Sequence, residues 1–298
     1  MAAAGSWRTQ NPISKPKSSA GKCSPCLTPL PDSAAAQKAI AWCDGVWGHP
    51  DTVALPISDR GLSLGDGVFE TVLIKAGVPQ LLGEHLKRWR QGAALLQLPE
   101  PPSEQTIRHW LKEAIDRSRI VDGALRINWS RGSGGRGLTA PSTEAGRCWG
   151  TLHQHQPSFQ PIAVVVSERV RRWSKDPLAS CKSLNYGPQV LARQEAIQRG
   201  ADDALLLNSE GQLCCGSSAN VLVLRSGRWL TPPLISGCLP GVMRARGLEL
   251  GLVEAKDIEG ALAFRAPAML LNSLDCRPFN GASAGMAGQL FEDLLGSD

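Results

Sequence analysis

Lys182 lies in the run "CKSLNYGPQV" among small and apolar neighbours, and the sole tyrosine of the chain, Tyr186, follows four residues later. A lysine amine that loses part of its hydration has a lowered pKa and adds to carbonyls as a Schiff base, and a nearby phenol can hydrogen-bond the oxygen of a carbonyl cofactor. The spacing alone also fits an ordinary surface lysine. In "SGCLPGVMR", Gly237, Pro240 and Gly241 mark a helix start that leaves the N–H groups of Val242 and Met243 free to face an anion, or is simply a cap. Arg88 in "EHLKRWR" offers a guanidinium that can grip a phosphate through two hydrogen bonds, or is a solvated helix charge. The Gly-rich loop "SRGSGGRG" (130–137) carries Arg131 and Arg136, two cations suited to clamping carboxylates or to a loose basic loop.

Such groups need strands, turns and helix starts to hold them, and the sequence has these from Ile40 onward. "IAWCDGVWG" and "GVFETVLIKAGVPQLL" read as hairpins around Cys-Asp-Gly-Val and Lys-Ala-Gly-Val turns. Helices are predicted in "GEHLKRWRQGAALLQL" and in "SEQTIRHWLKEAI". In the second, Ser103 caps, Ile107, Trp110, Leu111, Ala114 and Ile115 share one face, and His109 points to solvent. "IAVVVS" is a buried strand, "PQVLARQEAIQRG" a helix closed by Gly200, and "DALLLNSEGQL" and "NVLVLRSGRWLTPP" strands around polar turns. The pattern predicts an α/β (α+β) chain in two domains, a smaller one over 40–153 and a larger one over 162–298, with a ligand between them. The polar, Pro-bounded stretch "HQHQPSFQP" supplies a linker over 154–161.

The 298 residues, 42% of them hydrophobic, suffice for real cores. Without a long apolar run, neither a membrane span nor a signal peptide is expected. The net charge of +5 comes from dispersed Lys and Arg, which favours small anionic ligands over nucleic acid. Nine cysteines without regular spacing suit a reducing compartment, and Cys23-Ser-Pro-Cys26 has no companion ligands, so no metal site is expected. Residues 1–39 are Ala-, Ser-, Pro- and Lys-rich with Asp32 as their one acid. They read as a disordered extension of a cytoplasmic protein, or as a transit peptide of a plastid one.

Taken together, "SDRGLSLGDGVFET", "HLKRW", "SRGSGGRG", "KSLNYGPQVLARQEA", "CCGSSANVLVL", "GCLPGVMR" and "LLNSL", in that order, resemble the class IV aminotransferases. This is the fold-type IV pyridoxal-phosphate family, and the resemblance covers about residues 40–298. The "SRGSGGRG" loop, the paired cysteines and "GVMR" look most like 4-amino-4-deoxychorismate lyase, the folate-pathway enzyme that releases pyruvate to leave 4-aminobenzoate. Branched-chain and D-amino-acid aminotransferases share the rest of the frame. The resemblance implies pyridoxal 5′-phosphate at the domain interface, a homodimer, and a small anionic amino substrate. It makes Lys182 the Schiff-base lysine and proton shuttle, and places Arg88 and the N–H groups of Val242 and Met243 on the phosphate. It sets Tyr186 near the cofactor phenolic oxygen, Ser218, Ala219 and Asn220 along the ring, and Asn272 and Ser273 at the rim. Charge matching adds Arg131 and Arg136 for two substrate carboxylates.

One position departs from the family. Five residues before the Asn of "SSAN" the family carries a glutamate that pairs with the protonated pyridine nitrogen; here Cys215 stands there, with Cys214 expected on the opposite face of the strand. Glu210 is five residues upstream, about 16 Å along an extended strand, and cannot replace it. A weaker electron sink disfavours transamination and leaves room for an elimination driven by aromatisation. The alternatives are an aminotransferase of the same fold and a cofactor-binding protein with reduced or no activity.

Overall fold

Two tight turns set the register of the first sheet. Asp44 (φ 49°) and Gly45 (φ 80°) join β1 (Ala39–Cys43) to β2 (Val46–Gly48), and Ala76 (φ 49°) and Gly77 (φ 80°) join β3 (Gly67–Lys75) to β4 (Val78–Pro79). Two successive positive φ values match the twist of the flanking strands, which is why Asp-Gly marked a hairpin in the sequence. With β5 (Gly123–Ser130) and β6 (Arg147–Gln154) they form an antiparallel sheet in the order β2-β1-β6-β5-β3-β4. Strand β6 thus runs one residue into the segment expected as a linker. The structure, a computed structural model, describes residues 38–140 and 145–296; Cys23, Cys26 and nearly all of the N-terminal extension lie outside the described residues.

A short helix, α1 (Arg60–Leu64), precedes β3, and α2 (Leu82–Leu95) and α3 (Glu104–Ser118) pack on the sheet. The Ser103 hydroxyl accepts the Thr106 N–H at 3.2 Å, Ile107, Leu111 and Ala114 are buried, and His109 is exposed, as the pattern predicted. Burying Ile107 and Leu111 contributes about 1.5–3 kcal/mol each.

In the second half, β7 (Val164–Arg172) pairs parallel with β8 (Asp203–Asn208), with α4 (Gly187–Gln198) between them in sequence. Strand β9 (Leu213–Gly216) completes this small sheet. A five-stranded sheet follows, β12-β11-β10-β13-β14, made of β10 (Asn220–Arg225), β11 (Arg228–Thr231), β12 (Val253–Ala255), β13 (Ala268–Leu271) and β14 (Cys276–Phe279). Residues of α5 (Val242–Glu249) and α6 (Ala284–Leu295), among them Met243 and Phe291, share a core with Leu222, Met269 and Leu271 of that sheet.

The pairing of β8 with β9 adds a feature that alternation alone does not show. Leu206 faces Cys215, but Leu207 faces Leu213, so Cys214 is an extra residue in the ladder, a β-bulge. Alternation around a bulge fails locally. Both thiols are buried and belong to one cluster with Val170, Ala192, Ala196 and Cys238.

Candidate active site

A cavity of about 420 Å³ is lined by β3, β5, the segment before α4, the Gly216–Asn220 turn and the start of α5. Lys182 enters it because its segment zips onto β3: Lys182 O accepts the Phe69 N–H and Gly67 O accepts the Leu184 N–H, each at 2.9 Å. The half-buried Lys182 side chain donates from Nζ to the Tyr186 hydroxyl at 3.0 Å. Nζ also lies 4.3 Å from the centroid of the Phe69 ring, which meets Tyr186 edge-on with centroids 5.0 Å apart. The aromatic pair shields the amine from water on that side and fixes its direction.

Arg88 reaches the cavity from α2 and is buried. Its Nε and Nη2 donate to the two oxygens of Glu70 at 2.7 and 2.6 Å, and Nη1 donates to Pro240 O at 3.0 Å, just ahead of α5. His85 Nδ1 meets the same Glu70 carboxylate at 2.7 Å. Burial alone would push Glu70 up, but the Arg88 charge and the hydrogen bonds from Arg88 and His85 hold it down at about 2. The paired Arg88 therefore sits beside a helix start, at Val242 and Met243, that has no side-chain cap. Free helix N–H groups next to a buried guanidinium make an anion site. A Cβ at Gly241 would fall on the Asn220 side-chain oxygen, so the sequence has glycine where the helix start meets β10. Asn220 in turn donates to Leu239 O at 2.9 Å.

Ser218, Ala219, Asn220, Val242, Met243, Asn272 and Ser273 all line this cavity together with Lys182, Tyr186, Arg88 and Cys215. Arg131 and Arg136 are not brought into it. Arg131 spends its guanidinium on Asp66 (2.8 and 3.2 Å) and on the carbonyls of Leu96 and Gln97 (2.7 Å each), and Arg136 is exposed. The loop that carries Arg136 is instead tied down by buried Arg60, which donates to the carbonyls of Gly137, Leu138 and Thr139.

Two arginines that sequence reading passed over take their place. Arg126 stands on β5 with its guanidinium carbon 3.8 Å from the Phe69 centroid and Nε donating to Asn128 at 3.0 Å. Its Nη groups have no hydrogen-bond partner among the described residues, and burial pushes its pKa down despite nearby Tyr186. The signal was there: Arg126 and Asn128 are two apart in an apolar strand, hence on one face. Arg172, at the end of β7, also lines the cavity and donates from Nε to Gly237 O at 3.1 Å. Four cations, Arg88, Arg126, Arg172 and Lys182, thus face one acid, Asp176, among the described lining residues.

Cys215 is buried at the cavity wall. The neighbouring Cys214 thiol, then burial, push its pKa well above the ordinary thiol value, so it presents a neutral S–H. Glu210 is exposed and bonded to Ser174, away from the cavity lining. The donor set fits pyridoxal phosphate: an amine for the aldehyde, a phenol beside it, and a helix start with a buried arginine for the phosphate. The carboxylate for the ring nitrogen is the one missing part.

The sequence pattern described as amino-transferase class IV matches residues 67–278. The chain is 30% identical over 208 residues to the chloroplastic D-amino-acid transaminase of Arabidopsis thaliana, which covers 70% of this chain and 56% of that protein. It thus spans little more than half the length of that relative. It is 29% identical over 212 residues to the aminodeoxychorismate lyase of Vibrio harveyi, covering 70% of this chain and 76% of that one. Among solved structures it is similar to the fold IV transaminase of Curtobacterium pusillum, with a TM-score of 0.75 and 26% identity over 87% of this chain and all of the other.

Proposed function

As the chain belongs to the class IV aminotransferase family, whose members depend on pyridoxal phosphate, we propose that it is a 4-amino-4-deoxychorismate lyase, a folate-pathway enzyme that releases pyruvate to leave 4-aminobenzoate. The observation that carries this reading is Cys215. When bound, pyridoxal phosphate would supply an electron sink for the substrate carbon that loses its proton. A carboxylate at this position would favour a proton on the ring nitrogen. The neutral Cys215 thiol, with the Arg172 cation near the Cys214–Cys215 pair, does not. Transamination relies on a strong sink. In aminodeoxychorismate the electron pair moves on at once, the bond to enolpyruvate breaks, and an aromatic ring forms.

Each residue has a part in that step. Lys182 Nζ, held by Tyr186, removes the proton from the amine-bearing carbon and returns one to the departing enolpyruvate. Arg88 and the α5 start hold the phosphate. Arg126 grips a substrate carboxylate through its unengaged Nη groups, with Phe69 beneath the guanidinium. The reading extends to a homodimer acting on a small anionic amino substrate, in the cytoplasm or, with a transit peptide, in a plastid.

Two outcomes follow here. Cys215→Glu raises transamination of D- or branched-chain amino acids at least about tenfold relative to 4-aminobenzoate release, a shift of one pKa unit's worth of free energy. An unchanged ratio, measured on the same preparations, contradicts the role of Cys215. Arg126→Leu raises KM for aminodeoxychorismate roughly 10- to 100-fold, the loss of charge-assisted hydrogen bonds, while cofactor absorbance is retained. An unchanged KM removes Arg126 from the substrate site.

A further inference from the structure

Helix α4 carries a guanidinium that stays outside the cavity yet grips its wall. Arg193 donates from Nε to Ser217 Oγ at 3.0 Å, and from Nη2 to Asp203 Oδ2 at 2.6 Å and Ser218 Oγ at 3.3 Å. Ser217 and Ser218 line the cavity, whereas Arg193 and Asp203 do not. The other Asp203 oxygen accepts the Ala204 and Ser217 N–H groups at 2.7 and 3.1 Å, and the Gly216 N–H closes the turn onto Ala219 O at 2.8 Å. One arginine and one buried carboxylate thus hold both hydroxyls and the backbone of the Gly216–Asn220 turn from behind.

The course of α4 gives this grip its meaning. Tyr186 is the N-cap residue of the helix, its carbonyl accepting the Val190 N–H at 3.0 Å, and its hydroxyl holds Lys182 Nζ. Arg193 follows about two helical turns along. Between them the helix is seated on the small sheet by Ala192 and Ala196, which share a cluster with Leu206 and Cys215. One rigid element therefore presents Tyr186 to the amine and Arg193 to the serine turn. We propose that Arg193 is a positioning residue for the cofactor, fixing the Ser217–Ser218 wall relative to Lys182 so that both meet pyridoxal phosphate in register. This inference rests on cofactor binding by the family and not on the lyase reading.

Support of the fold is the lesser part of its role. The Arg193 side chain is 40% exposed, and an ion pair so open to water contributes little to stability. Asp203 keeps its two backbone donors without it. The hydroxyls keep nothing comparable. A guanidinium only donates, so it engages both serine oxygens as acceptors and turns their protons away from itself. Losing the fork frees both hydroxyls to rotate at the cavity wall. A lysine would keep a charge for Asp203 but has no planar fork to span the carboxylate and two hydroxyls at once.

The test uses the full-length holoenzyme with its Arg193→Ala and Arg193→Lys variants. Each is dialysed to equilibrium against graded pyridoxal phosphate, and retained cofactor is read from protein-bound absorbance. Denaturant midpoints are compared after cofactor removal, so that binding does not enter them. Arg193→Ala is expected to hold cofactor at least about tenfold more weakly, the loss of hydrogen bonds from a charged donor, at an unchanged midpoint. Arg193→Lys is expected to be as weak as Arg193→Ala. Ser217→Ala is expected to weaken binding in the wild-type background and to add nothing in Arg193→Ala. Unchanged affinity in Arg193→Ala, full recovery in Arg193→Lys, or a loss that only follows a lowered midpoint overturns the proposal. No substrate is present, so its failure and that of the lyase reading are separate results.

Discussion

Replacing Lys182 by alanine lowers 4-aminobenzoate release by at least about 10²- to 10⁴-fold, the range a positioned general acid–base group supplies. The geometry explains why no neighbour substitutes. Among the described lining residues Lys182 carries the sole amine, and the other cations are guanidinium groups that remain protonated at neutral pH. Nζ is aimed by Tyr186 OH at 3.0 Å and by the Phe69 ring, and its backbone is zipped to β3. The loss therefore falls on kcat, with the fold intact by circular dichroism and with no borohydride-stable attachment of cofactor to the protein. Retention of more than about a tenth of wild-type turnover would remove Lys182 from the proton path.

Glu70→Ala has the largest expected effect on stability. The carboxylate is fully buried between Arg88, which donates to it twice, and His85. Removing it strands the Arg88 charge in the interior, which costs about 3–5 kcal/mol. It also frees the guanidinium that should grip phosphate, so cofactor affinity falls with stability. The acid side carries a matching signature. Glu70 is held at about 2 against an ordinary 4.5, so its contribution is fully present above the unfolded value and fades as pH falls from 4.5 towards 2. Denaturant midpoints of the wild type are expected to drop across that window, and those of Glu70→Ala to drop less. Parallel profiles would show that the pair does not carry this linkage.

The sequence made some of this arrangement legible and hid the rest for identifiable reasons. The Asp44-Gly45 turn, the Ser103 cap and the Lys182…Tyr186 spacing are local, and local signals survive in one dimension. The Arg88–Glu70 pair joins positions 18 apart on different elements, and Arg131 finds Asp66 from 65 positions away, so no window on the chain reveals either. That is why Arg131 was expected at the substrate while its charge is consumed by the scaffold. Arg126 was readable in principle from its register with Asn128, but a lone charge in an apolar strand has no fixed meaning until the cavity is seen. The bulge at Cys214 has no glycine or proline to announce it, so strict alternation could not locate it.

The lyase reading rests on the chemistry at one wall of one cavity, and a single competition decides it. The purified protein, loaded with pyridoxal phosphate, is given aminodeoxychorismate in one assay and D- or branched-chain amino acids with a keto-acid acceptor in another. Equimolar pyruvate and 4-aminobenzoate, released faster than any amino group is transferred, is the predicted result. Faster transamination, or no 4-aminobenzoate at all, contradicts it.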